Sequence, residues 1–156
     1  MTHSYEATVT WSAAEQGPTR DYKSYGRGYR VSIAGRPDLL GSSDPAFRGD
    51  ASRHNPEDLL LAALSGCHLL WYLHLCSTSG LLVLDYSDRA TAEMEMESGG
   101  GGQFVSAVLR PQVTIAAGGD LHLAEALHAK AAENCFIARS VNFPVRHEPN
   151  VSLERS

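Results

Sequence analysis

The sequence predicts an α+β domain, an antiparallel β-sheet wrapped around two core helices. Three observations carry that prediction. Short strand-like segments follow one another through turns and a glycine-rich hairpin instead of alternating with helices. One segment, Leu59 to Leu75, is apolar on nearly every side, which is the pattern of a core helix. A second, Leu121 to about Cys135, carries Leu123, Leu127 and Ala131 on one stripe. A doubly wound nucleotide-binding sheet is not expected, because no glycine-rich strand-to-helix turn of the right form occurs.

Tyr5 to Trp11 alternates, with Tyr5, Ala7, Val9 and Trp11 on one face, and predicts a half-buried strand. Ser12 to Tyr22 contains Gly17-Pro18-Thr19 and predicts a loop. Arg27 to Ile33 predicts a second strand, ended by Gly35-Arg36-Pro37-Asp38. Gly41 to His54 predicts a long surface loop, with turn chemistry at Ser42-Ser43-Asp44-Pro45 and Arg48-Gly49-Asp50. Asn55 is a natural N-cap, Pro56 suits the first helical position, and Glu57 and Asp58 complement the helix dipole. Ser77-Thr78-Ser79-Gly80 stops that helix. Leu81 to Tyr86 and Arg89 to Glu97 predict strands, the latter with Ala90, Ala92, Met94 and Met96 opposite a wet face. Gly99 to Gly102 predicts a hairpin connection, and Phe104 to Ile115 a returning strand in which Pro111 marks an edge or a bulge. Gly118-Gly119-Asp120 caps the second helix, Ser140 to His147 predicts the last strand, and 148–156 a polar tail.

At 156 residues the length suits one domain over 1–156, burying about 70% of the surface its unfolded chain exposes. A net charge of −5 argues against nucleic acid as a partner. The N-terminus lacks a signal-peptide pattern and no apolar run approaches a membrane span, so a cytoplasmic protein is expected. Three cysteines, Cys67, Cys76 and Cys135, are too few and too scattered for a disulfide scaffold. Neither CxxC nor HExxH spacing occurs, so neither a metal nor a bound cofactor is expected.

Two thiols on separate helices suggest paired redox chemistry. A reactive cysteine needs a thiolate, and therefore a nearby cation or a helix N-terminus. Cys67 is too far into its helix for the dipole to serve, which leaves an arginine: Arg20, Arg27, Arg30, Arg36, Arg48 or Arg53. Such a guanidinium also stabilises the charge that develops as a peroxide O–O bond breaks, and Glu57 is the natural carboxylate to orient it. The plainer alternative is that Glu57 only caps the helix and the arginines are solvated. Glu57 and Cys67 lie about 15 Å apart along one helix and on different faces. If both serve one site, either an arginine bridges them or a second subunit supplies Glu57, and the latter predicts an obligate dimer with composite sites. His68 points away from the Cys67 side of the helix and is expected in the core or an interface. His128, two turns before Cys135 on the same face, is a candidate lining residue, and Cys76 a core thiol.

Asn55-Pro56-Glu57-Asp58-Leu59-Leu60 followed by Ser65-Gly66-Cys67-His68 resembles the signature of the OsmC/Ohr proteins, the osmotically inducible and organic hydroperoxide resistance peroxidases. The segment Cys135-Phe136-Ile137-Ala138-Arg139-Ser140-Val141 is similar to the second-cysteine motif of an OsmC-like branch. Tyr25-Gly26-Arg27, Cys67-His68-Leu69-Leu70-Trp71 and Tyr86-Ser87-Asp88 resemble that branch as well. The resemblance implies an intertwined homodimer with sites at its interface and a thiol peroxidase reaction. In that reading Cys67 is the peroxidatic cysteine, oxidised to a sulfenic acid, and Cys135 resolves it as a disulfide that a dithiol (lipoyl-type or a small thiol) reduces. Glu57 matches the family's glutamate. Arg27 is the first candidate for its arginine, with Arg48 and Arg20 as alternatives. Gly26, Tyr29 and Ala132 depart from the branch pattern, where Ser, His and His are usual.

The expected function is a thiol-dependent hydroperoxide reductase. Leu64, Leu70 and Trp71 near Cys67, and Phe136 and Ile137 near Cys135, suit an organic hydroperoxide. The alternative is a redox-sensing or small-molecule-binding protein on the same fold with little turnover.

Overall fold

The computed structural model describes residues 1–155, in two units, Met1–Leu60 and Leu61–Ser156. In the first unit, β1 (Thr8–Thr10), β2 (Tyr29–Ser32) and β3 (Leu39–Gly41) form an antiparallel sheet in that order. Strand β1 covers only the C-terminal half of the predicted segment and is exposed along its length, so the expected half-buried strand is not found. Between β1 and β2 the predicted loop contains a short helix, α1 (Ala13–Gln16). Ser12 caps it by accepting from the Ala14 N–H, and Gly17 ends it at φ +80°. The long loop from Gly41 to His54 is largely as expected, with β3 ending at Gly41 and a 3-10 turn at Pro45–Phe47 within it.

Helix α2 (Pro56–Thr78) starts as its sequence dictates. Asn55 accepts from the Asp58 N–H at 2.8 Å, Pro56 fills the first helical position, and Glu57 and Asp58 occupy the first turn. The helix ends at Thr78, and Gly80 turns the chain out at φ +74°. An 18-residue window of α2 reaches a mean hydropathy of 1.6, so one helix is long and apolar enough to span a membrane by composition. That corrects the expectation that no segment approaches one. Its buried residues Leu64, His68, Tyr72 and Cys76 pack on protein, which makes it a core helix of this fold.

The second unit holds two further sheets. Strands β4 (Val83–Asp88), β7 (Pro111–Ile115) and β9 (Asn150–Leu153) form one; β5 (Thr91–Met96), β6 (Gly102–Leu109) and β8 (Val145–His147) form the other. The predicted single strand Phe104–Ile115 is two strands, because Arg110 and Pro111 break it and pass it from one sheet to the other. The sheets are mainly antiparallel, as expected, with two parallel pairs added at their edges: β6 with β8, and β7 with β9. Parallel pairing needs a crossover, and α3 (Leu121–Asn134) supplies it between β7 and β9. The polar tail therefore contributes β9, through one inward residue, Val151. The predicted last strand is only Val145–His147, since 138–140 form a 3-10 turn.

The core joins α2, α3 and the β4–β7–β9 sheet through Tyr72, Cys76, Val113, Ile115, Ala124, Ala131 and Val151. Ala124 and Ala131 give α3 a narrow face that lets it lie close on its neighbours. Ile115, wholly buried, contributes about 1.5–3 kcal/mol relative to exposure. Asp120 caps α3 by accepting from the Leu123 N–H. The fold is α+β, with antiparallel pairs in the majority.

Candidate active site: a thiol pair and an aromatic cavity

Cys67 and Cys135, 68 positions apart in sequence, meet in the second unit, where the two thiols are side-chain neighbours. Cys67 is half-buried on α2, and Cys135 is buried at the C-cap of α3, just past the last helical turn. The Cys135 sulfur accepts from the Ala138 N–H at 3.4 Å. Burial, reinforced by the Cys67 side chain, pushes the Cys135 thiol up to about 11, so it carries its proton at neutral pH. All three cysteines are free thiols. Cys76 is buried beneath Tyr72, and burial raises its thiol as well. Around the pair, Trp71 meets Phe136 edge-on at 5.5 Å, and Leu70 and Phe136 are about two-thirds exposed.

Beneath the thiols lies a group that sequence reasoning resolved only in part. His68 Nε2 and His128 Nδ1 are 3.0 Å apart, and His68 and His128 are 0% and 2% exposed. His147 on β8 lies against His68 at 4.5 Å, and Tyr72 stacks on His128 at 3.8 Å. His68 is thus a core histidine, as its helix position predicts, and His128 sits in the core beside it. His147 was not singled out, because one histidine in a three-residue strand carries no periodicity. Burial holds His68 down to about 3, with His147 and His128 adding to the effect, and holds His128 down to about 4, with His147 adding. Burial also lowers His147, which Asp88 partly offsets.

These neutral imidazoles imply acid sensitivity. In the unfolded chain each takes up a proton near pH 6.5, while the folded protein refuses it until the lower values. Stability is therefore complete above about pH 6.5 and is lost as pH falls toward 4, by up to about 1.4 kcal/mol per pH unit for each histidine. Urea midpoints measured between pH 7.5 and 5 are expected to fall steeply below 6.5. A flat profile would remove the buried neutral histidines from the account.

The first unit contains a cavity of about 420 Å³ lined by Val9, Trp11, Tyr25, Arg27, Tyr29 and Glu57, among others. Gly41 faces Tyr29 across the β2–β3 pair, and a Cβ there would overlap the Tyr29 ring, so glycine is what lets the ring lie flat. The Tyr25-Gly26-Arg27 segment is tied down by Trp11 Nε1 donating to Gly26 O at 2.9 Å and by Gly28 N donating to Gln16 Oε1. Trp11 meets Tyr25 edge-on at 6.2 Å. The Arg27 guanidinium lies 3.9 Å over the Tyr25 ring and 4.8 Å over that of Tyr22, and donates to the carbonyls of both residues. Glu57 Oε2 is buried with no hydrogen-bond partner among the described residues.

Arg27 and Glu57 thus line one cavity, although no ion pair joins them among the described residues. Arg48 and Arg20 do not line it. Arg48 is exposed at the end of the 3-10 turn, at φ 63°, and Arg20 is exposed in the loop before β2. Trp11 and Tyr29 also line this cavity; the alternation that puts Val9 and Trp11 on one face is the sequence signal for Trp11, whereas Tyr29 on β2 carries no such signal.

The model of the family described as OsmC-like protein matches residues 49–150, which is well over half of the chain. The chain belongs to the OsmC family. An OsmC-like protein of unknown function from Vibrio cholerae is similar at 30% identity, with TM-score 0.84, covering 96% of this chain and 100% of that one. An organic hydroperoxide resistance protein, OsmC, from Legionella pneumophila matches at 20% identity and TM-score 0.70, over 97% of this chain and 98% of its own. The organic hydroperoxide resistance protein OhrB of Bacillus subtilis matches at 17% and 0.63, over 96% and 98%. These last two share the fold. No curated protein matches the chain. Within this OsmC-family chain the resemblance seen in sequence extends to both cysteine motifs and to Glu57, all inside the matched region, while Arg27 lies before it.

Proposed function

We propose that this OsmC-family protein is a thiol-dependent peroxidase that reduces organic hydroperoxides in a reducing, cytoplasmic compartment. The observation that carries the reading is the proximity of Cys67 to Cys135, two thiols brought near each other from separate helices. Cys67, the more accessible, attacks the distal peroxide oxygen as a thiolate; the O–O bond breaks, the alcohol leaves with a proton, and Cys67 becomes a sulfenic acid. Cys135, protonated until then by its burial, gives up its proton and attacks the Cys67 sulfur as a thiolate. An S–S bond forms, the S–O bond breaks, and the Cys135 proton departs with the hydroxyl as water. A dithiol of lipoyl type, or a small thiol, returns both sulfurs to thiols. Exposed Leu70 and Phe136 give an apolar organic tail a surface that hydrogen peroxide cannot use.

Arg27 and Glu57 come to this chemistry from the first unit of a second protomer in an obligate homodimer. A guanidinium stacked on two tyrosine rings is rigid, and it is placed to stabilise negative charge on a breaking peroxide. Glu57 Oε2, buried without a partner among the described residues, is available to orient that guanidinium or accept from the peroxide O–H.

The test is turnover. Substoichiometric protein with excess cumene hydroperoxide and a dithiol is expected to consume many equivalents, faster per mole than with hydrogen peroxide. Consumption that stops at one equivalent per protomer would leave a sensor or a binding protein instead.

A further inference from the structure

Helices α2 and α3 are tied together at three levels. Cys67 meets Cys135 at one level, His68 Nε2 meets His128 Nδ1 at 3.0 Å at the next, and the Tyr72 hydroxyl donates to Ala124 O at 3.0 Å at the third. Positions rise along α2 as they fall along α3, so the helices cross antiparallel and the ties form a ladder. The lower two rungs are polar and buried in an otherwise apolar core. Buried polar pairs of this kind contribute little net stability but define one geometry, because any other leaves their groups unpaired.

Rotation of α2 about its axis, or sliding of α3 along its own, would separate the thiols. The His68 side chain fixes the first motion one residue from Cys67. His128 and the Tyr72–Ala124 bond fix the second, upstream of Cys135 on α3. His147 on β8 packs against His68 at 4.5 Å and adds a third element to this cluster. Neither imidazole is assigned a part in the peroxidase reaction, and the contacts that define them face the core.

We infer that the buried His68–His128 hydrogen bond is a positioning device, a clamp that sets the register of α2 against α3 so that Cys135 can close onto an oxidised Cys67. The inference rests on the two-cysteine reading above. Closure must bring the two sulfurs to about 2.05 Å with a narrow dihedral range, so it is sensitive to small shifts of either helix. The attack of Cys67 on peroxide needs no such register. The clamp therefore acts on resolution and leaves peroxide reduction alone, a split that a merely structural pair would not produce.

The experiment compares wild type with His68→Leu/His128→Leu, which replaces both partners with apolar groups, and with His68→Gln, whose amide nitrogen or oxygen stands near the position of the imidazole Nε2. Each reduced protein is mixed with one equivalent of cumene hydroperoxide, and Cys67 sulfenic acid and the disulfide are followed by dimedone trapping and mass spectrometry. Sulfenic acid is expected to form at the wild-type rate in all three. Disulfide closure in the double variant is expected to slow by roughly 10- to 100-fold, with sulfenic acid accumulating, and to recover largely in His68→Gln. Closure at the wild-type rate in the double variant would overturn the clamp while leaving the peroxidase reading intact. A wild type that forms neither species would overturn both.

A second measurement is independent of variant folding. In 15N-histidine NMR of the wild type, a slowly exchanging ring N–H bonded to a second imidazole nitrogen is expected in both the reduced and disulfide forms. Its absence in either form would overturn the clamp.

Discussion

Cys67→Ser is expected to abolish peroxide consumption, with a loss of at least about 10³-fold, because no other thiol in the chain takes its place. Cys76 is buried under Tyr72, and Cys135 is both buried and held as a thiol near 11. A thiol attacks peroxide far more slowly than a thiolate. Cys135→Ser is expected to behave differently: the first equivalent of peroxide is still reduced, Cys67 sulfenic acid persists, and turnover with dithiols falls sharply. Cys76→Ser is expected to change activity little. Stopped-flow peroxide consumption with dimedone trapping separates the three. Equal losses in Cys67→Ser and Cys76→Ser would mean that folding, not chemistry, was measured.

Arg27→Ala is expected to lower kcat/KM by about 10²–10³-fold, the usual cost of removing a preorganised charge from a developing anion. Arg48→Ala and Arg20→Ala are expected to stay within about threefold of wild type, since neither shares the cavity with Glu57. Light scattering is expected to show a dimer, and mixed dimers test how the site is composed. Protomers carrying Cys67→Ser and protomers carrying Glu57→Gln are each expected to be inactive alone. Mixed, they regain one intact site, with Cys67 from one protomer and Glu57 from the other. Mixtures as inactive as their parents would place Cys67 and Glu57 in the same chain's site.

Much of this was legible in sequence. Asn55, Pro56, Glu57 and Asp58 together leave no other start for α2, and Asp120 does the same for α3, because capping chemistry is local. The second helix was visible as a stripe, and the hairpin at Gly99–Gly102 as a break in two alternating runs. What failed was long-range. Pairing of β9 with β7 depends on a crossover, and its four residues bury only Val151, too few to raise a pattern in a polar tail. Likewise Arg110 and Pro111 hand the chain between sheets without interrupting its apolar content.

The candidate site divides along the same line. Cys67, Cys135 and Glu57 stand inside motifs, which is why they can be put forward from sequence alone. Three arginines competed for one role because a guanidinium can reach from many backbone positions; the cavity and the two tyrosine rings now favour Arg27. The histidines at 68, 128 and 147 come from three elements that only the fold brings together, which is why their bond and stacking escaped a reading by spacing.

The central claim is that Cys67 and Cys135 form one redox pair, and the direct measurement is a thiol map after oxidation. Reduced protein is mixed with one equivalent of cumene hydroperoxide, quenched within seconds by acid and alkylation, and digested for mass spectrometry. The account predicts a Cys67–Cys135 disulfide as the main product, with Cys76 alkylated and therefore free. Both cysteines recovered fully reduced after minutes, or a disulfide that includes Cys76, would contradict it.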